Sequence, residues 1–375
     1  MSADPRIRDL RALLLRFPLE TPLVGPFGRL EARHNLIVVV ETAAGARGLG
    51  EIWANFPHWG CSEKVNLFEQ VVRPLLMGEV IDDPRRLFAL MRERLRLLAL
   101  QWGAPGPVQQ VIAGVDAAIW DAWAREKRIP LADALRGEAA PPRVPVYASG
   151  IGPDVTAALI EKSAAAGHRR FKVRISFGRE TDTATLRGAR EAAGTRPLMA
   201  DANQTYSPEM LRLMEVELRA AKLQWLEEPF PVDEDETYRG WPHIRGLPLA
   251  LGENAYGAHE FERIMDAYDP AVVQPDITKN GGISEGFEIG RGIVARGKRF
   301  CLHNFGGAVG LYTSAHLTAG IAGADWLEMD ANPNPSFEHV LASPPEVVDG
   351  ALVLSGEPGL GVDLADDRIG KWQMR

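Results

Sequence analysis

The chain has 375 residues and a formal net charge of -8 at pH 7, with 46% hydrophobic and 25% charged residues. This composition is ordinary for a globular protein with a large core, and the acidic balance argues against a nucleic acid or an anionic membrane as the partner. Two cysteines, Cys61 and Cys301, are too few for a disulfide framework or a zinc site, and no apolar run approaches the ~20 residues of a membrane helix, so we expect a cytoplasmic protein.

The first part of the chain lacks a regular alternation of strands and helices. Strand-like patterns cover residues 11–17 and 35–41, and the glycine-rich segment 45–50 is interpreted as turn material after the second strand. Apolar residues then recur at helical spacing in segments 87–100 and 108–125. Strands followed by helices predict an α+β module.

Two loops of this module are rich in Pro, Gly and aromatic residues. They span 21–28 and 52–60 and carry Phe27 and Trp53, which are our candidate substrate contacts from this module. Loops of this kind are typical of a substrate lid, and equally of packing against a neighbouring subunit. Asp116, inside the second predicted helix, is interpreted as a structural polar group.

A strand–helix rhythm begins after the proline pair near residue 141. Strands that alternate with helices at a period of about 25 residues predict parallel βαβ units and a TIM-type barrel. We therefore predict an α/β fold with a modified TIM (β/α) barrel over 141–335 and an N-terminal α+β capping domain over 1–140. The tail, 336–375, is predicted to pack back on the capping domain. The predicted barrel strands are 144–148, 171–175, 197–201, 223–227, 248–252, 271–274, 300–302 and 326–328.

Three successive apolar runs of this barrel each end in an acid. The runs close with Asp201, Glu227 and Glu253. Because the carboxyl ends of parallel barrel strands meet at one rim, these acids are expected to converge there. Carboxylate oxygens from separate strands suit a hard divalent cation, and the sequence therefore predicts a Mg²⁺ site.

Polar groups also mark the other strand ends. Strand two offers Lys172 and Arg174, which are two residues apart and so point to the same side. Strand six offers Asp276, strand seven His303, and strand eight Glu328. Charged or imidazole groups at so many successive strand ends predict a catalytic rim. Asn203 and Asn304, beside the strand-three and strand-seven residues, are further candidate substrate contacts.

Six different short motifs are distributed along nearly the whole chain. They are Ala-Ile-Trp-Asp (118–121), Asp-Ala-Asn (201–203), Glu-Glu-Pro (227–229), Gly-Glu-Asn (252–254), Gln-Pro-Asp (274–276) and Pro-Gly-Leu-Gly (358–361). With these motifs the chain resembles the enolase superfamily, and within it the mandelate-racemase-like subgroup. The resemblance implies a Mg²⁺ ion held by Asp201, Glu227 and Glu253, and a small-molecule substrate bound to it through a carboxylate. It also suggests, by analogy, a homo-oligomer.

Strand six separates the subgroups. The muconate-lactonizing-like subgroup carries a lysine base where this chain has Asp276, so Asp276 and His303 resemble the His–Asp dyad of the mandelate-racemase-like subgroup. Asp276 would accept a hydrogen bond from one ring nitrogen, which fixes the tautomer and leaves the other nitrogen as the base. Lys172 would stabilise the enediolate, and Glu328 would hold the opposite oxygen.

Arg174 is a departure from the family pattern, which usually has a second lysine there. A guanidinium is a poor base, so the site has a base on one face only, and Arg174 is left to bind a substrate hydroxyl or a distal carboxylate. One histidine can serve a syn elimination. We therefore predict dehydration of an aldonate or aldarate to a 2-keto-3-deoxy acid, with an epimerase, a lactone cycloisomerase or a non-catalytic metal-binding barrel as alternatives.

Overall fold

The computed structural model describes residues 4–25, 28–239 and 246–374. The N-terminal part is a three-stranded antiparallel sheet covered by helices, in the strand order β1-β2-β3. Phe27 lies outside the described residues. The strands are β1 (Ile7–Gly25), β2 (Gly28–Thr42) and β3 (Arg47–Ile52), and the helices are α1 (Cys61–Leu67), α2 (Arg73–Leu76), α3 (Pro84–Trp102), α4 (Pro105–Lys127) and α5 (Leu131–Arg136).

Strand β2 is buried on both faces. Ile37 and Val39 pack into the core shared with the barrel, whereas Leu36, Val38 and Val40 pack against the helices of the capping domain. Successive residues of a strand point to opposite sides, so a strand that separates two cores has a continuous apolar run. The capping sheet is therefore sandwiched between its own helices and the barrel.

The interpretation of residues 45–50 as turn material was wrong, because Arg47–Ile52 forms strand β3. Its glycines are required by the close approach of α4. A Cβ at Gly48 would overlap the carbonyl oxygen of Ala118, and a Cβ at Gly50 would overlap that of Gly114. The expected loop over 21–28 is likewise strand up to Gly25, because β1 and β2 pair as a hairpin as far as Gly25 and Gly28.

Within the described residues, eight parallel strands form the barrel, and all eight predicted barrel strands overlap an observed one. Strands pair in the order β10-β9-β8-β7-β6-β5-β4, and β11 pairs with β4. A bridge between Leu302 and Leu327 links the β10 end to β11, which closes the barrel. The barrel strands are β4 (Arg143–Ile151), β5 (Phe171–Arg174), β6 (Leu198–Asp201), β7 (Leu226–Glu227), β8 (Leu249–Leu251), β9 (Val272–Val273), β10 (Arg299–Phe300) and β11 (Leu327–Asp330).

The helices between these strands form the outer layer of the barrel. Their apolar faces pack on the outward-pointing strand residues in one continuous core. They are α6 (Thr156–Ala165), α7 (Arg179–Ala193), α8 (Pro208–Leu213), α9 (Glu215–Ala220), α10 (Asp235–Arg239), α11 (Ala258–Tyr268), α12 (Gly282–Ala295) and α13 (Ala308–Gly320). Within the described residues, no helix combines the length and apolarity needed to cross a membrane.

The C-terminal tail contacts both parts of the fold. It contains α14 (Pro335–His339), β12 (Val347–Val348), β13 (Ala351–Val353) and α15 (Asp366–Ile369). Strand β13 pairs antiparallel with the start of β4 in the barrel. Gln373 forms a bridge with Leu15 of the capping sheet, and Asp366 accepts two hydrogen bonds from Arg47.

Two buried carboxylates of the capping domain attach it to the N-termini of barrel helices. Glu51 at the end of β3 accepts hydrogen bonds from the backbone amides of Gly307 and Gly310 at the start of α13. Asp116 in α4 accepts from the backbone amide and hydroxyl of Ser284 in α12, which supports its interpretation as a structural group. The first amides of a helix lack intrahelical partners and attract negative charge, so both contacts stabilise the docking of the two domains.

The close packing of β3 on α4 can be tested with glycine substitutions. Because a Cβ at Gly50 overlaps a backbone carbonyl, we expect Gly50→Ala to lower the free energy of unfolding by about 1–3 kcal/mol or more. Gly188 in α7 is the matched control, since a Cβ there meets no atom within 4 Å, and Gly188→Ala should raise the free energy of unfolding by about 0.4–1 kcal/mol. Urea unfolding followed by circular dichroism measures both, and equal effects would contradict the packing argument.

Candidate active site

The inward-pointing residues of the barrel lie in levels, because side chains alternate along each strand. Two residues beyond an apolar level, the inward positions become ionisable: Asp201 follows Met199, Glu227 follows Trp225, and His303 follows Cys301. The apolar level thus forms the floor of a charged site at the carboxyl ends of the strands. Its residues are Tyr147, Met199, Trp225, Ala250, Val272 and Cys301.

The three predicted metal ligands converge at this end. Asp201 ends β6, Glu227 ends β7, and Glu253 lies just beyond β8. One carboxylate oxygen of each lies within 4.8 Å of those of the others. Three carboxylates that converge in this way are suited to a single hard cation, and carboxylate oxygens are donors that Mg²⁺ prefers. Asn203 holds Asp201 in place, donating from its backbone and side-chain amides to the two carboxylate oxygens at 2.8 Å each.

Lys172 carries its positive charge into the middle of these acids. Its ammonium contacts Glu227, lies 2.9 Å from Glu328 and lies 3.7 Å from Asp201, and its side chain is 2% exposed. Burial disfavours the charged ammonium, but the surrounding carboxylates outweigh burial and hold the pKa of Lys172 well above its usual value. Lys172 is therefore a fixed cation and a poor base.

Burial and mutual repulsion affect the acids differently. Burial raises the pKa of Glu227 to about 8; Lys172 opposes this rise, while Asp201 and Glu328 add to it. Burial also raises the pKa of Glu253, but the cations His303 and Lys279 outweigh it and hold that pKa well below the usual value. Carboxylates that repel one another in a buried space favour a bound cation, and binding it would release protons.

His303 and Asp276 form the predicted dyad. Nδ1 of His303 lies 2.7 Å from Oδ2 of Asp276, whose other oxygen accepts hydrogen bonds from the backbone amide and hydroxyl of Thr278. Nε2 faces the site and lies 2.8 Å from Glu253. This nitrogen was expected to be free, but in the structure it is in contact with the carboxylate of Glu253. Burial lowers the pKa of His303, but Glu253 and Glu328 outweigh burial and keep that pKa well above its ordinary value.

Glu328 and Arg174 lie on opposite flanks of β4. The carboxylate of Glu328 contacts Lys172 and the Ser149 hydroxyl, and lies 3.3 Å from the Tyr147 hydroxyl. Arg174 ends β5, two residues beyond Lys172, and its Nη1 lies 3.5 Å from the carbonyl oxygen of Val24 in the capping hairpin. Glu328 is thus part of the acidic centre, whereas Arg174, in register with Asp201, lies at its edge where the capping domain contacts the barrel.

Trp53 and Asn304 also lie at the site. Trp53 comes from the capping domain, and its ring centroid lies 6.2 Å from that of His303. Asn304 is buried, and both polar atoms of its side-chain amide lack a hydrogen-bond partner in the described structure. Unpaired amide atoms next to His303 are suited to substrate hydroxyl groups. The substrate-binding roles of these two residues and of Asn203 remain predictions.

The prediction from the sequence did not include two charged residues of the site. Lys279 is buried, and its ammonium lies 3.9 Å from the Glu253 carboxylate and 4.4 Å from the centroid of the Trp53 ring. Glu228 is buried next to Glu227 and accepts a hydrogen bond from Asn254 at 2.9 Å. The pair of adjacent acids was a signal for Glu228. For Lys279 the signal was weaker, since it lies in a loop three residues after Asp276.

Both parts of the chain match known families. Residues 10–136 match the family described as the mandelate racemase / muconate lactonizing enzyme N-terminal domain. Residues 155–368 match the family described as enolase C-terminal domain-like. Together the two matches cover most of the capping domain, the barrel from α6 onward and most of the tail.

Relatives of named activity carry out more than one reaction. The chain is 28% identical to an arabinonate dehydratase of Saccharolobus solfataricus, over 89% of this chain and 90% of that protein. It is 25% identical to a D-galactarolactone cycloisomerase of Agrobacterium fabrum, over 98% of this chain and 99% of that protein. Identities in this range support the superfamily and leave open which reaction is catalysed.

Solved structures share the whole fold. A mandelate racemase/muconate lactonizing enzyme from Bordetella bronchiseptica matches with a TM-score of 0.88 and 37% identity, over 97% of this chain and 99% of that chain. A racemase from Streptomyces coelicolor, with bound magnesium, matches with a TM-score of 0.87 and 25% identity, over 98% of this chain and 100% of that chain.

The metal-ligand assignment predicts different outcomes for two adjacent glutamates. Glu227→Gln removes a proposed ligand charge, so we expect the Kd for Mg²⁺ to rise at least about 100-fold, whereas Glu228→Gln, which removes a neighbouring charge, should raise it about tenfold. Isothermal titration calorimetry with Mg²⁺ measures both values. Unchanged affinity in Glu227→Gln, or an equal loss in both variants, would contradict the assignment.

Proposed function

The chain belongs to the mandelate racemase / muconate lactonizing enzyme family of the enolase superfamily, and on that premise we propose that it is a Mg²⁺-dependent sugar-acid dehydratase. It would convert an aldonate or aldarate to a 2-keto-3-deoxy acid. The observation that carries the proposal is that the site offers one base. Asp276 holds His303 from behind, whereas the Lys172 ammonium is enclosed by Asp201, Glu227 and Glu328, and Arg174 is a guanidinium.

A one-sided site suits elimination better than racemisation. A racemase needs a base on each face of the α-carbon, one to remove the proton and one to return it. In a syn elimination, Nε2 of His303 takes the α-proton, the electron pair forms the C2–C3 double bond, and the β-hydroxyl leaves as water with the same proton. The enol product then converts to the 2-keto acid. His303 acts first as base and then as acid, and Asp276 stabilises the imidazolium in between.

Charge stabilisation completes the proposed chemistry. Removal of the α-proton places negative charge on the two oxygens of the substrate carboxylate, next to the fixed ammonium of Lys172. A Mg²⁺ ion held by Asp201, Glu227 and Glu253 would act as a Lewis acid toward the same carboxylate. Glu328, which touches Lys172 and the Ser149 hydroxyl, orients the ammonium from the other side.

A lactone cycloisomerase is the second candidate. The match to a galactarolactone cycloisomerase over nearly the whole length favours it. Opening a lactone by β-elimination also needs one base, so the His303–Asp276 dyad serves both reactions. The two differ in the leaving group, which is a ring carboxylate in the cycloisomerase and a hydroxyl group in the dehydratase.

A substrate screen separates these reactions. The purified protein with Mg²⁺ would be incubated in D₂O with aldonates, aldarates and their lactones, and the products followed by NMR. A 2-keto-3-deoxy acid from an open-chain acid would support the dehydratase, and consumption of a lactone alone would favour the cycloisomerase. Deuterium at the α-carbon with no loss of water would contradict dehydration and point to an epimerase.

The dyad makes a further prediction. His303→Asn removes the base, so turnover and deuterium exchange at the α-carbon should fall at least about 10³-fold. The Kd for Mg²⁺ should stay within about threefold of wild type, because His303 is not a proposed ligand. His259, exposed on α11, is the matched control, and His259→Asn should leave turnover unchanged. Exchange that persists in His303→Asn would exclude His303 as the base.

A further inference from the structure

We propose that two guanidinium groups, Arg33 of the capping domain and Arg174 of the barrel, together bind a second carboxylate, so that the substrate is a sugar diacid. The inference rests on the proposed function, because it concerns the far end of a substrate whose reacting carboxylate lies at the acidic centre. Neither arginine belongs to the metal triad or to the His–Asp dyad. Both lie where the capping domain meets the mouth of the barrel.

Arg33 is a buried cation with unused donors. It lies on β2, its side chain is 1% exposed, and it forms an ion pair with Asp330 at the end of β11. That contact uses Nη2, while Nε and Nη1 are buried without a hydrogen-bond partner in the described structure. A guanidinium presents five N–H donors, and leaving buried donors unpaired is unfavourable. A ligand oxygen would satisfy them.

Arg174 adds a second positive charge beside the first. In the described part of the chain it forms no ion pair, its Nε is buried without a partner, and its Nη1 reaches only the Val24 carbonyl at 3.5 Å. Asp330 is paired with Arg33, and no described carboxylate lies within ion-pair distance of Arg174. This end of the site has an excess of positive charge, whereas the opposite end is crowded with acids.

Both arginines lie over the same aromatic ring. The guanidinium carbon of Arg33 lies 4.5 Å from the centroid of Phe305, and that of Arg174 lies 5.8 Å from it. Phe305 follows His303 by two residues, which connects the arginine pair to the catalytic dyad. Stacking on one ring holds two like charges near each other, an arrangement that an anion between them would stabilise.

The spacing of the pair from Lys172 and Glu328 along their strands sets the length of the substrate. Arg174 is two residues beyond Lys172 on β5, and Asp330 is two residues beyond Glu328 on β11. Two residues of strand advance roughly 7 Å, which is comparable to the distance between the terminal carboxylates of an extended hexarate. An aldonate of the same length would instead place a neutral hydroxymethyl group against the guanidinium groups.

The strand between these two residues packs closely against Asp330 and Phe305. Strand β4 lies between β5 and β11, and at this height it carries Gly150. A Cβ at Gly150 would meet Asn332, Asp330 and Phe305. A residue without a Cβ therefore lets Asn332, Asp330 and Phe305 lie close to β4 at the edge of the arginine pair.

The test compares pairs of ligands that differ at one carbon. Hexarates and the aldonates of the same configuration would be titrated by calorimetry into the Mg²⁺-loaded His303→Asn protein, which binds without turnover. At least one hexarate should bind about 10- to 100-fold more tightly than its aldonate. Adding Arg174→Gln should abolish this difference and leave aldonate affinity within about threefold.

Two further variants make the result specific. Arg179, exposed at the start of α7, is the charge-matched control, and Arg179→Gln should preserve the diacid preference. Arg33→Lys keeps a charge beside Asp330 but removes the planar fork, so it should also reduce the preference. Absence of a diacid preference in every ligand pair, or a preference that survives Arg174→Gln or Arg33→Lys, would overturn the inference.

Failure of the proposed function gives a different result. A diacid preference in binding, together with no 2-keto product from wild-type protein, would refute dehydration and leave the arginine site standing. Dehydration of aldonates with no diacid preference in binding would support the proposed function and refute the arginine site.

Discussion

The ammonium of Lys172, buried among carboxylates, is the interaction on which the rest of the site depends. Asp201, Glu227 and Glu328 all lie within ion-pair distance of it, and like charges this close could not share a buried space without cations between them. The same crowding makes the centre suited to a divalent cation and to a substrate on which negative charge develops. The barrel can hold this cluster because each acid is fixed by a separate strand, above a floor of packed apolar side chains.

The capping domain is held in a fixed position over the barrel. Glu51 and Asp116 attach it to the N-termini of two barrel helices, and glycines let β3 pack directly against α4. This attachment places Trp53 beside His303 and Arg33 over the barrel mouth. The residues of the proposed chemistry and of the proposed metal site thus belong to the barrel, whereas the contacts proposed to distinguish one acid from another lie where the two domains meet.

The sequence predicted more of the barrel than of the capping domain for a physical reason. Barrel strands are short apolar runs that end in charged residues, and that pattern is local. Residues 45–50 were misinterpreted because glycine normally weakens a strand, and here it is required by a helix packed across it. Lys279 and Arg33 gave no comparable local signal, since each acquires its surroundings from residues distant in sequence.

By itself, the sequence determined the strand order of the barrel, the three acids at successive strand ends and the presence of Asp276 and His303 on neighbouring strands. These features follow from side-chain alternation along each strand and from the parallel arrangement of βαβ units. Both can be read from the alternation of apolar strands and helices along the sequence. Only the tertiary structure decided that Lys172 is held by several carboxylates, that Nε2 of His303 meets Glu253, and that Arg33 and Arg174 lie over the same ring. Those relations join residues as far apart in sequence as Arg33 and Phe305, and burial then sets their energies, because water no longer screens the charges.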